Sequence, residues 1–103
     1  MLEHIDIPYD EIAAFCERRH IRKLALFGSV LRDDFGPDSD VDVLVQFEPG
    51  TVVKFLDMAL QEIELGEIVG RKIDLGEYQS VEDDPNHIRR KRILSSAQVI
   101  YER

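Results

Sequence analysis

The first apolar pattern along the chain has the spacing of a helix. Ile12, Phe15 and Cys16 form one apolar stripe, as on an amphipathic helix that packs against a core. Pro8 lies just before the stripe and acidic residues follow within the first turn, which is typical of a helix start. The pattern therefore predicts a helix from Pro8 to about Arg19, with Cys16 as a small buried core residue.

Two shorter apolar runs predict the first pair of strands. They cover residues 23–27 and Val41–Phe47, and both are too short for a typical helix. The second run is continuously apolar at its centre, so we expect both faces of that strand to be covered. Between the runs, residues 29–33 predict a short helix and residues 35–38 a turn.

A long apolar stripe predicts the main helix in the second half of the chain. We expect Thr51 to cap this helix, which should end near Gly66 or Gly70. We also expect the stripe to form core against the sheet. Its members are Val52, Phe55, Leu56, Ala59, Leu60 and Ile63.

Three further elements complete the predicted fold. A third strand is expected over residues 71–75, a last helix starting at Asp84 and Pro85, and an edge strand over residues 97–102. We predict an α+β fold in which a small mixed sheet packs with helices in two layers. A chain of 103 residues predicts a single domain, residues 1–103.

Composition narrows the class of protein. The chain is 44% hydrophobic and 33% charged, which is typical of a soluble globular protein. It contains neither a secretory signal nor an apolar stretch of about 20 residues, so we expect a cytoplasmic protein. Its net charge of −8 argues against direct nucleic-acid binding, which normally needs a basic face. That charge is compatible with a metal site and with a basic protein partner.

Residues 89–92 form one concentrated basic run. Four consecutive charges point all round a helix, so a solvated helix surface is the default interpretation. Contact with nucleic acid or with a partner protein is the alternative.

Asp40 and Asp42 mark the start of the second strand. Strands disfavour aspartate, and like charges on one face repel, so the pair calls for a functional explanation. Side chains alternate along a strand, which places both carboxylates on one face with their Cα atoms roughly 6.5 Å apart. Such a pair can close on one divalent cation or bridge two, and its hard oxygen ligands suit Mg²⁺ or Mn²⁺.

Gly28 and Ser29 directly follow the first strand. A glycine here lets the backbone approach a ligand closely, and a helix that starts after it directs free N–H groups at a phosphate. Arg32 would face the same region, although an ion pair with a nearby carboxylate is an equal alternative. Gly-Ser by itself is more often a plain turn. The stretch matches neither a calcium-binding EF-hand loop nor a Walker loop.

Taken together, Gly28-Ser29, ten intervening residues and Asp40-x-Asp42 resemble the signature of the nucleotidyltransferase superfamily related to DNA polymerase β. The short chain is similar to the minimal nucleotidyltransferases, which often act as the antitoxin beside a helical toxin of the HEPN ribonuclease type. In that family a third acidic residue on a neighbouring strand completes the metal site. Asp74 in the predicted third strand matches it, and an exposed edge-strand aspartate is the alternative.

The resemblance implies a nucleotidyltransferase fold and a metal-dependent enzyme that transfers AMP from ATP to a hydroxyl, expected on a cognate HEPN-type toxin. Its catalytic and metal-binding residues would be Asp40, Asp42 and Asp74, holding two Mg²⁺ ions or alternatively Mn²⁺. Its nucleotide-binding residues would be Gly28, Ser29 and Arg32. Two alternatives stay open: a binding module that blocks its partner sterically, and nucleotidyl transfer to RNA or a small molecule.

Overall fold

A computed structural model describes residues 6–28, 36 and 39–103. Four helices and four strands occur within these ranges. In chain order they are α1 (Tyr9–Arg18), β1 (Ile21–Phe27), β2 (Val41–Phe47), α2 (Phe55–Val69), β3 (Ile73–Glu77), α3 (Tyr78–Glu82), α4 (His87–Ser96) and β4 (Gln98–Glu102). No helix in the described ranges combines the length and the apolar composition that crossing a membrane requires.

The four strands form one mixed sheet in the order β3-β2-β1-β4. β1 pairs antiparallel with both β2 and β4, whereas β2 and β3 are parallel. Parallel neighbours need a crossover connection, and α2 supplies it. The predicted α+β class with a small mixed sheet is confirmed, and the predicted edge strand near the end of the chain is β4.

Helices cover both faces of the sheet. α1 and α2 pack on one face and enclose the larger core. This core contains the buried residues of α1 and the inward-facing residues of β1 and β2. On the opposite face, Tyr78 of α3 and Ile93 of α4 pack with Ala25 and Leu44. The centre of β2 is buried on both faces, as its continuous apolar run predicts.

α1 agrees with its prediction to within one residue at each end. Ile12, Phe15 and Cys16 are the buried residues of this helix. Burial, with a smaller contribution from neighbouring Glu17, raises the pKa of the Cys16 thiol to about 12. The thiol is therefore protonated at neutral pH and acts as a core side chain, not as a nucleophile.

The start of α2 differs from the prediction. Thr51 does not cap the helix, because α2 begins at Phe55 with Lys54 as its N-cap. The Thr51 N–H donates to the carbonyl oxygen of Glu48 (3.1 Å). The chain stays extended to Lys54, whose N–H donates to the carboxylate of Asp57 (3.0 Å) in the first turn. The end of the helix is one of the two predicted, with Gly70 as a left-handed cap (φ +77°).

The predicted core role of the α2 stripe is wrong. Phe55 is 91% exposed, and most other members of the stripe also face solvent. The buried side of the helix instead carries Gln61 and Leu65. α2 is apolar on more than one side, and only packing against β3 decides which side turns inward.

The region around α3 and α4 shows further differences from the prediction. α3 was not predicted, and Asp84 does not cap the last helix. Asn86 caps it instead by accepting the N–H of Arg89 (3.1 Å). The Asp84 carboxylate accepts the Asn86 N–H (2.9 Å) and pairs with the Arg89 side chain (2.6 Å). The basic run therefore begins with an arginine bound to the segment before the helix.

β3 also begins two residues later than predicted, at Ile73. Arg71 and Lys72 precede the ladder, and the Arg71 side chain reaches back to the loop before β2. Asp74 nevertheless lies in the strand, as the prediction of a third strand requires.

A carboxylate on α2 joins this helix to the end of α1. Glu64 accepts hydrogen bonds from Arg18 (2.6 Å) and from two nitrogens of Arg19 (2.9 and 2.7 Å). Burial raises the pKa of the Glu64 carboxyl, but the arginine hydrogen bonds and charges outweigh it and hold the pKa below its ordinary value of 4.5. A lowered pKa stabilises the fold above the unfolded-state pKa, and this contribution is lost as the pH falls through the folded-state pKa.

We expect Glu64→Gln to lower the free energy of unfolding at pH 7 by about 1 kcal/mol, because the substitution removes the charged acceptor that Arg18 and Arg19 share. Urea unfolding at pH 7 and at a series of pH values below 4.5 should show the difference from wild type shrinking as the wild-type carboxyl becomes protonated. Glu67→Gln, an exposed carboxylate on the same helix, is the control. A pH-independent difference would contradict the assignment.

Candidate active site

The edge of the sheet where β1 ends is also the edge where β2 and β3 begin. Phe27 lies opposite Asp42 in the antiparallel pair, and Asp42 lies opposite Asp74 in the parallel pair. Residues paired across strands project from the same face of a sheet. The register therefore places the two carboxylates side by side, with Asp42 half-buried and Asp74 exposed on the edge strand.

Gly28 lies against Asp42 at the end of β1. Its backbone is left-handed (φ +74°), which glycine adopts without strain. A Cβ atom at this position would lie 3.1 Å from Cγ of Asp42 and would overlap its Oδ2. Two independent reasons, the backbone angle and the contact, thus require glycine beside this carboxylate.

Asp40 is half-buried and lies one position before β2. The backbone on either side of it is held in place: the Val41 N–H donates to the carbonyl oxygen of Lys72 (2.9 Å). On the other side, the Ser39 N–H donates to the carbonyl oxygen of Gly36 (3.1 Å), and the Gly36 N–H donates to the Ser39 hydroxyl oxygen (3.1 Å). Asp40 therefore lies between two residues, Ser39 and Val41, whose backbone groups are hydrogen-bonded.

The Arg71 side chain binds Gly36 and Ser39 from the segment before β3. Its guanidinium donates to the carbonyl oxygens of Gly36 (2.6 Å) and Ser39 (2.9 Å). Sequence reasoning did not identify this role, because an arginine that binds carbonyls more than thirty positions away leaves no local pattern. The side chain links the loop that leads to Asp40 with the strand that carries Asp74.

Two of the predicted site residues fall outside the described ranges. Ser29 and Arg32 were predicted to contact the nucleotide from a short helix over residues 29–33. The predicted turn over residues 35–38 is described only at Gly36.

The chemistry of this edge suits a hard divalent cation. Carboxylate oxygens are the preferred ligands of Mg²⁺, and Asp42 and Asp74 are neighbours on adjacent strands. Among the residues with described positions, no group of three or more His, Cys, Asp or Glu side chains is gathered closely enough to hold a metal ion. Two adjacent carboxylates repel each other unless a cation lies between them. The donor atoms for a cation are present, without a closed coordination shell.

Comparison with known proteins places this geometry in a family. The model of the nucleotidyltransferase domain family matches residues 10–100. A protein of Methanocaldococcus jannaschii that is provisionally named a protein adenylyltransferase is 31% identical over 77 residues, which are 75% of this chain and 76% of the relative.

Solved structures share the fold. A toxin–antitoxin structure with AMP-PNP superimposes with a TM-score of 0.71 at 13% identity, covering 94% of this chain and 75% of that one. A tri-AMPylated HEPN toxin from Shewanella oneidensis in complex with an MNT antitoxin matches with a TM-score of 0.62 at 12% identity, covering 92% and 70%. At this identity the likeness establishes the fold alone. The match over residues 10–100 establishes the family, and this chain is a member of the nucleotidyltransferase domain family.

Proposed function

We propose that this chain is a protein adenylyltransferase that acts as an antitoxin, transferring AMP from ATP to a hydroxyl of a cognate HEPN-type toxin. The observation that carries the proposal is the meeting of Gly28, Asp42 and Asp74 at one edge of the sheet. A relative named for this activity and a fold-related antitoxin in complex with an AMPylated HEPN toxin support the choice of substrate and partner. ATP as substrate is the reason to expect the protein in the cytoplasm.

The site residues have separate roles in the proposed reaction. Asp40, Asp42 and Asp74 would hold Mg²⁺, and a bound Mg²⁺ would offset the charge of the triphosphate and make the acceptor hydroxyl more acidic. Gly28 keeps the backbone close to Asp42, so the triphosphate can approach both. Ser29 and Arg32 would bind its phosphates.

The reaction is a substitution at the α-phosphorus of ATP. The acceptor oxygen forms a bond to the α-phosphorus, the bond from that phosphorus to the bridging oxygen of the β-phosphate breaks, and pyrophosphate leaves with the electron pair. The proton of the acceptor hydroxyl passes to the carboxylate of Asp74, the exposed member of the pair. Asp42 would hold the donor side of the site.

The proposal is tested with ATP labelled at either the α- or the γ-phosphate. This chain, Mg²⁺ and the purified protein encoded by the adjacent gene are incubated together, and protein-bound label is measured. We expect label on the partner from α-labelled ATP, none from γ-labelled ATP, and release of labelled pyrophosphate in the second case. Transfer of the γ-label would indicate a kinase, and neutralisation of the partner without any label would indicate a steric antitoxin.

A further inference from the structure

One face of α2 exposes a continuous row of apolar side chains, which we call the α2 face. Scattered apolar residues are normal on a protein surface, but a contiguous row on one helix marks an interaction site. The exposed fractions run from 49% to 91%. The residues of the α2 face are Phe55, Leu56, Leu60 and Ile63.

The fold does not use this face. α2 packs on the sheet through its other side, where Leu65 is buried and Ile68 and Val69 join the core. A helix that is apolar on both sides is normally enclosed between two layers. Among the described residues of this chain, none covers the outer side of α2.

The α2 face leads directly to the edge strand of the candidate active site. The Glu62 carboxylate of α2 accepts the N–H of Leu75 (2.8 Å), the residue after Asp74. A cavity of about 370 Å³ lies between the second half of α2 and the start of β3, lined among others by Ile63 and Ile73. β3 is the outermost strand on one side of the sheet. A protein docked on α2 can therefore extend past β3 to Asp74.

The charged residues within α2 are all acidic, and Asp57 and Glu67 among them are exposed. Basic residues lie only outside the helix, with Lys54 just before it and Arg71 and Lys72 after its end, where they line the cavity beside Ile63. Glu64 is already neutralised by the arginines at the end of α1. Two copies of this chain would bring like-charged rims together, while a basic-rimmed surface would complement them. The net charge of −8 acts in the same direction at longer range.

We propose that the α2 face is the docking surface for the acceptor protein, which binds it through an apolar patch bordered by lysines or arginines. This inference rests on the proposed function and adds the surface that presents the acceptor hydroxyl to Asp74. An amphipathic helix of the partner, packed along α2, fits such a surface.

The test uses Leu60→Glu in the full chain, with Ile88→Glu as the matched control. Both side chains are exposed, on α2 and on α4 respectively, so neither change disturbs the core. The dissociation constant for the purified protein encoded by the adjacent gene is measured by calorimetry. We expect Leu60→Glu to raise it at least tenfold, and Ile88→Glu to leave it unchanged.

A second measurement separates docking from catalysis. With Leu60→Glu, labelling should fall at low partner concentration and recover at saturation, while AMP-PNP binding with Mg²⁺ stays at the wild-type value. Because the proposed rim is acidic, Glu67→Lys and added salt should each weaken partner binding.

Several results would overturn the docking proposal. They are an unchanged affinity for Leu60→Glu, no measurable binding by the wild-type chain, or a wild-type dimer in sedimentation that Leu60→Glu dissociates while partner binding persists. If the wild-type chain bound the partner through the α2 face but labelled nothing, the proposed function would fail and the docking surface would stand.

Discussion

Asp42→Asn is expected to lower the rate of adenylyl transfer by about a thousandfold while leaving the chain folded. The amide keeps the volume and much of the hydrogen bonding of the carboxylate but removes its charge. Asp42 lies opposite Asp74 in the register, so the substitution removes one of two adjacent negative charges. Initial rates of label transfer at saturating ATP and partner, together with a melting curve, measure both effects.

The control for this variant is Asp10→Asn, an exposed aspartate in the first turn of α1. It removes the same charge from the chain but lies on a different element from β2 and β3. We expect its transfer rate to match that of the wild type. Retention of more than about a tenth of the wild-type rate by Asp42→Asn would contradict a metal-binding role, since such roles are worth far more than tenfold.

Gly28→Ala should impair both stability and transfer, because the new methyl group meets two obstacles. The left-handed backbone (φ +74°) disfavours any side chain, at a cost of about 1 kcal/mol. The added Cβ would also lie 3.1 Å from Cγ of Asp42, so the carboxylate must move. We expect a loss of stability above 1 kcal/mol and a loss of transfer rate of about a hundredfold.

Two other glycines provide matched controls for the backbone effect alone. Gly50 (φ +85°) and Gly70 (φ +77°) are also left-handed, and a Cβ at either position meets nothing within 4 Å. Gly50→Ala and Gly70→Ala should therefore lose about 1 kcal/mol of stability without losing transfer rate. If Gly28→Ala behaved like these two variants in both measurements, the contact with Asp42 would have no catalytic importance.

Local patterns predicted much of the fold. β2 has the predicted bounds and α1 nearly so, because each depends on the apolar periodicity of a short segment. Asp40 and Asp42 were also identified from local sequence. Strands disfavour aspartate, and this preference does not depend on what the strand packs against. Gly70, which ends α2, was one of the two ends that local chemistry predicted, the other being Gly66.

Features that depend on distant partners were predicted less well. The stripe of α2 was assigned to the core, because periodicity reveals that a helix has an apolar side but not which of two such sides meets the sheet. Thr51 was assigned as the cap of α2 because its residue type favours helix starts, but the helix begins at Phe55 with Lys54 as its N-cap. The hydrogen bonds from the Arg71 side chain to the Gly36 and Ser39 carbonyl oxygens join segments more than thirty residues apart.

The sequence by itself determined most of the elements, the acidic pair at the start of β2 and the glycine before it, because each of these is a property of a few consecutive residues. Only the tertiary structure decided that Asp74 stands beside Asp42 and that α2 presents an apolar face to solvent. The physical reason is that strand register and helix orientation are set by packing between segments far apart in the chain, where a shift of one residue turns a side chain to the opposite face.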